Sequence, residues 1–379
     1  MNAPDDSLLH GVAIGDRQNL WRLLNSLPVN RQVAEAFEPA WSAQANDLAT
    51  AAAIDTDAIV RGMFQMLCNH LESPQAIAAL EPLSLLVLLR GGIGEFDAFV
   101  TTLGEVDETQ APHLMVLRPG VFVRLADRVL RAFTCAEVWP ELGDLTTCQS
   151  AWSEVPLANQ PRDPERFQLA MNLAMLSALV VFYHEFAHII RGHNAWAAET
   201  LGVGSLRENR SLRPLHTGKG EKGTGADHHR RAVEVDADIY AGVFMAKALS
   251  IGMLGEVNED NLPYWCELMA FLALLTFNVF EEQVQSADYR AGYHLPQIRT
   301  ECFLEGLASV WEVRDLKMFV AGMETGAAFC AKHYRPFGSE EEIKADFERL
   351  ETHTWPTLLN LRKVFRQYVP PVWLARAGD

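Results

Sequence analysis

The feature that most constrains this chain is an apolar helix that ends in ionisable side chains. From Leu173 to Phe182 nearly every residue is apolar, so a helix there has to be surrounded by core. Asp163-Pro164-Glu165 reads as its start, with an Asp N-cap, Pro at the first position and an acid in the first turn. Gly192 reads as its stop. Near the end lies His184-Glu185-Phe186-Ala187-His188. Positions i and i+4 share a helix face, so the two imidazoles point the same way and Glu185 sits about 100° round from His184. Two histidines and a glutamate at the end of a buried helix are costly unless they have partners.

A metal ion is a partner of the right kind. Neutral imidazoles hold Zn²⁺, and a carboxylate beside the ion can take the proton of an attacking water. The bland alternative is a core helix with two satisfied histidines. Two histidines also leave a zinc site one protein ligand short. His193 follows closely, but beyond the stop at Gly192. The metzincin spacing would need Gly at 191 and His at 194, where Arg191 and Asn194 stand. His216, His228 and His229 lie in or beside a loop. The stronger candidate is Glu234-Val235-Asp236-Ala237-Asp238, on a stretch from Arg230 to about Leu249 that reads as a helix. Glu234 and Asp238 share a face, so one carboxylate can complete a His₂Glu site and the other can accept a ring N–H from a ligand histidine. A solvated acidic face is the alternative. The apolar neighbours Ala232, Val233, Ala237, Ile239, Ala241 and Phe244 argue against it.

His184-Glu185-Phe186-Ala187-His188 followed by Glu234-x-x-Ala237-Asp238 resembles the gluzincins, a group of zinc metallopeptidases. Within them it is similar to the intracellular kind, the Lit-like phage-exclusion and ImmA-like peptidases, and more distantly to CAAX prenyl peptidases. The extension Ile189-Ile190-Arg191-Gly192-His193 resembles the His-Glu-x-x-His-x-x-x-Gly-His form of Lit-like sequences. The resemblance covers roughly residues 164–300. It implies His184, His188 and Glu234 as ligands of Zn²⁺, Glu185 as catalytic base, and Asp238 as partner of a ligand histidine, His184 in particular. His193 is not a ligand in this reading. Tyr293-His294-Leu295-Pro296-Gln297-Ile298-Arg299 is similar to the His-Pro-Pro-x-x-x-Arg segment of prenyl-peptidase-like enzymes, with Leu295 in place of the first Pro. It implies His294, or Tyr293, as a donor to the developing oxyanion. Prenyl peptidases cross the membrane several times, which this chain is not expected to do, so their substrate does not carry over.

Composition narrows the partners. A net charge of −17 over 379 residues argues against nucleic acid, which calls for a basic footprint. The six cysteines are scattered without Cys-x-x-Cys, as reduced buried thiols would be. Met1 to Asp16 lacks a basic segment followed by an apolar run, so no secretion signal is expected and a cytoplasmic location is. The apolar stretch Asn261–Glu282 holds Glu267 and Asn278 and suits a core helix better than a membrane span.

The expected fold is mainly α, a zincin-like core on two metal-binding helices with a small β-hairpin or edge sheet. Residues 1–16 read as a flexible tail, 17–150 as a mostly helical N-terminal region, 151–310 as the metallopeptidase core and 311–379 as helices packing on it. Asp16 to Leu103 reads as helical, with segments over Asp55–Leu71 and Gln75–Arg90. Leu114–Val116 and Val121–Leu125 around Arg118-Pro119-Gly120 suggest a hairpin, with a helix from Val121 to Phe133 as the alternative. Residues 202–229, rich in Gly and basic residues, read as a flexible loop suited to a lid. Gly218-x-Gly220-x-x-Gly223 lacks a preceding strand, so no dinucleotide is expected.

The expected function is a zinc endopeptidase cutting an intracellular protein, in a phage-defence or regulatory, stress-related setting. The alternatives are a non-catalytic zinc-stabilised interaction protein and a zinc amidase acting on a non-peptide amide.

Overall fold

The computed structural model describes residues 11–14, 56–73, 76, 85–89, 96–102, 113–149, 151–201, 205–207, 225–250, 257–283, 293–334 and 338–369. In chain order the elements are β1 (Gly11–Ile14), α1 (Thr56–Leu71), β2 (Leu85–Leu89), β3 (Ala98–Thr102), β4 (His113–Leu117), α2 (Pro119–Phe133), α3 (Pro164–Ile190), α4 (His193–Leu201) and β5 (Ser205–Arg207). They continue with α5 (Gly225–Ser250), α6 (Leu262–Gln283), α7 (Pro296–Trp311), α8 (Val320–His333), α9 (Glu340–Arg349), a π-helical turn over Leu350–Thr354, and α10 (Trp355–Phe365). The described residues are mainly helical.

The axis of the fold is α3. Asp163 caps it, its side chain accepting from the backbone N–H groups of Glu165 and Arg166, and Pro164 fills the first position. Arg166, one turn in, is fully buried. Its guanidinium donates five bonds of 2.6–2.9 Å to the carbonyls of Phe133, Trp139, Leu142, Cys135 and Val138. It thus satisfies the carbonyls at and after the end of α2 and ties that helix to the root of α3. Every residue from Leu173 to Ile190 is buried. By length and composition α3 and α6 could each cross a membrane, yet the apolar windows are 100% and 78% buried within the fold.

The strands form one sheet in the order β1-β2-β4-β3-β5, with β2 and β4 parallel and the other pairs antiparallel. It revises four expectations. Gly11–Ile14 lies in the expected tail but pairs with β2. Of the helix expected over Gln75–Arg90, Leu85–Leu89 is instead β2, with Leu85, Val87 and Leu89 buried beside β4, and apart from Ala76 the rest of that span lies outside the described residues. Ala98–Thr102, also read as helical, is a strand. The hairpin around Arg118-Pro119-Gly120 is absent. His113–Leu117 is a strand, but Pro119 opens α2, its fixed φ suiting a first helical turn. Within the loop expected over 202–229, Ser205–Arg207 form β5 and residues 225–229 lie in α5. Residues 202–204 and 208–224, and with them the glycine pattern and the lid idea, lie outside the described residues.

At the far end of α3, Gly192 has φ +73°, a left-handed turn that lets α4 start at His193. A Cβ on Gly192 would lie 2.7 Å from Tyr368 Cβ, so the C-terminal segment closes over this turn. A smaller apolar cluster, including Trp196, Val233, Ile298, Leu358 and Phe365, knits α4, α5, α7 and α10 together on this side. Helix α5 packs on α3, α7 and α10 and so meets the histidine-bearing end of α3.

Candidate metal centre

The last turns of α3 carry His184, Glu185 and His188, and α5 carries Glu234. None of the four is more than 4% exposed. His184 Nε2 lies 3.2 Å from His188 Nε2 and 3.2 Å from Glu234 Oε2, and His188 Nε2 lies 3.9 Å from the same oxygen. A point equidistant from these three atoms is about 2 Å from each, the length of zinc–imidazole and zinc–carboxylate bonds. The expected donors are therefore brought together across two helices at the spacing one ion requires.

Protonation makes the same point. Asp238 is fully buried, and both of its oxygens accept from the Arg299 guanidinium at 2.9 Å. Its Oδ1 lies 2.8 Å from His184 Nδ1, which places the His184 proton on Nδ1 and the lone pair on Nε2. His188 has its own support: its Nδ1 lies 3.0 Å from His193 Nδ1, and His193 Nε2 lies 3.1 Å from Asp236 Oδ2. Burial pushes His188 well below the ordinary imidazole range, against the pull of Glu234, so the ring is neutral. Burial alone would raise the Glu234 carboxyl. The Arg299 guanidinium acts against that and favours the ionised carboxylate. Electron pairs from two imidazoles and a carboxylate thus converge in a dry site, and a cation is what makes the arrangement favourable. Borderline nitrogen donors with one carboxylate fit zinc.

His294 departs from expectation. Its Nδ1 lies 3.0 Å from Asp346 Oδ1 on α9 and its Nε2 2.9 Å from Thr354 Oγ1 in the π turn. Both ring nitrogens are committed to the C-terminal segment, so His294 ties that segment to the start of α7 and does not serve as an oxyanion donor. The Leu295 N–H donates to the same Asp346, at 2.7 Å. The Tyr293 hydroxyl accepts from Arg230 at 2.8 Å. Arg299, the last residue of that segment, is the one that reaches the centre, and it lines a small apolar recess with Val180, Val181, His184, Phe277 and Phe280.

Sequence reasoning gave no role to Asp236, Arg191 or Arg362. Asp236 is fully buried, and Arg191 Nε at 2.9 Å and Arg362 Nε at 2.7 Å donate to it. The available signal was an acid set among Val233, Val235 and Ala237, a poor place for a solvated side chain. Among the described residues one other group, Cys135, Glu137 and His333, holds donor atoms within 4.8 Å of one another. It is partly exposed, and Glu137 there pairs with Lys332. In comparisons with known proteins, no family model, curated protein or solved structure matches this chain.

Proposed function

We propose that this chain is a zinc-dependent endopeptidase of gluzincin type, acting in the cytoplasm on a protein substrate. The supporting observation is the convergence of His184, His188 and Glu234 within one ion's reach, with Glu185 next to His184 on the same helix. When bound, zinc would polarise a scissile carbonyl and acidify water. His184, His188 and Glu234 would hold it. Asp238, clamped by Arg299, orients His184. Glu185 takes the proton of the attacking water and delivers it to the leaving amine. The Lit-like and ImmA-like resemblance supports limited cleavage of one protein in a phage-defence or stress setting, an analogy of family and not of site.

The test is Glu185→Gln. The variant should keep its zinc and its melting temperature while its cleavage rate falls about 10²–10⁴-fold. Proteome-wide cleavage mapping of a host extract with both proteins supplies the substrate and the assay. Undiminished cleavage by Glu185→Gln would remove the proposed base.

One observation favours a second reading, a zinc-stabilised interaction protein. The four site residues are almost fully enclosed, and structural zinc sites are closed. A small hydroxamate added to cobalt-substituted protein separates the two. A changed visible spectrum indicates a corner open to ligands, and an unchanged one supports the structural role.

A further inference from the structure

We infer that His193 and Asp236 form a positioning pair that fixes the tautomer of His188 and thereby decides which ring nitrogen His188 offers to a metal. This deepens the metal-site reading and rests on it.

Asp236 accepts from two arginines and has no proton to give. The bond at 3.1 Å must therefore come from His193 Nε2–H. A neutral imidazole has one donor and one acceptor, so His193 Nδ1 accepts. Among the described residues its partner at hydrogen-bond distance on that side is His188 Nδ1, at 3.0 Å, which must carry the proton. The remaining lone pair of His188 is then on Nε2, facing His184 and Glu234.

The two ligand histidines are consequently unlike. His184 leans directly on a carboxylate, whereas His188 leans on a neutral imidazole with the carboxylate one ring further out. The outer pair is braced from the C-terminus, since Arg362 belongs to α10 and the Phe365 ring lies 4.6 Å from that of His193. The left-handed turn at Gly192 lets the chain fold His193 back under His188.

Two substitutions test this. His193→Gln keeps an acceptor for His188 and a donor for Asp236, whereas His193→Leu keeps apolar bulk and neither bond. The readouts are the zinc dissociation constant, by competition with a chromophoric chelator, and the visible spectrum of the cobalt-substituted protein. His193→Leu should bind zinc about 10–100-fold more weakly and shift the cobalt bands. His193→Gln should restore wild-type affinity and spectrum, which a packing role for the ring would not predict. Wild-type behaviour of His193→Leu, or a His193→Gln protein as weak as His193→Leu, would overturn the inference and leave the metal site standing. Failure of the wild-type protein to bind zinc would overturn the metal-site reading itself.

Discussion

Replacing Gly306 by Ala should damage both the fold and the metal centre, by an amount the structure sets. Gly306 lies where α7 crosses α5. An added Cβ would sit 1.8 Å from the Ile239 carbonyl oxygen and 2.8 Å from its carbon, and the obstacle is backbone, which has no rotamer to move away. Ordinary Cβ contacts begin at 3.4 Å, so the helices must part by up to 3.4 − 1.8 = 1.6 Å. Gly242 on α5 is just as close to Phe303 on α7, so both sides of the crossing depend on the missing side chain. This approach lets Arg299 clamp Asp238 at 2.9 Å. Parting of that size would carry the bonds out of range and loosen His184 behind them. Overpacking costs about 1–3 kcal/mol, and disrupting a buried ion pair about 3–5 kcal/mol. With partial relaxation a loss of about 3 kcal/mol is expected, roughly 4 °C in Tm for a chain of this size. Zinc affinity should fall on the order of tenfold. Calorimetry and a chelator titration read both. Gly62→Ala is the control: Gly62 is exposed within α1 with nothing within 4 Å of its Cβ position, so it should gain about 0.5–1 kcal/mol. A Gly306→Ala protein as stable as wild type would show that α5 and α7 do not depend on this close approach.

Arg166→Met should cost about 3–5 kcal/mol, because five carbonyls, four of them buried, each lose a donor at once; an unchanged urea midpoint would contradict that. Burial would raise the Asp346 carboxyl, but the bond to His294, the Leu295 N–H and Arg349 hold it below its usual range. A depressed carboxyl contributes stability that is complete above the unfolded value of about 3.9 and is lost as pH falls through the lower folded value. Asp346→Asn should therefore melt earlier than wild type at pH 7, with the gap narrowing below about pH 4. Parallel Tm–pH curves for the two proteins would count against the His294–Asp346 tie.

The helix that carries the histidines was legible because its signals are local: Asp163 and Pro164 start it, Gly192 stops it, and each acts within a few residues. The pairing of His184 with His188, and of Glu234 with Asp238, was legible because side chains four apart on a helix share a face; the preference for Glu234 as third donor rested on the gluzincin resemblance. The sheet was less so. Leu85–Leu89 is five apolar residues without alternation, which suits a buried strand or a core helix equally until β4 is known to lie beside it. Pro119 was ambiguous in the same way, since proline suits a turn and a helix start alike. The supports of the centre were not legible from spacing. Asp236 lies 126 positions from Arg362, and His294 lies 52 from Asp346. Only the packing of α5, α7, α9 and α10 brings such groups together.

The most direct test of the central claim is a crystal of the zinc-loaded protein measured at the zinc absorption edge. One anomalous peak is expected about 2.0–2.2 Å from His184 Nε2, His188 Nε2 and a Glu234 carboxylate oxygen. A peak only at another group, such as Cys135 and His333, or no peak between α3 and α5, would contradict it.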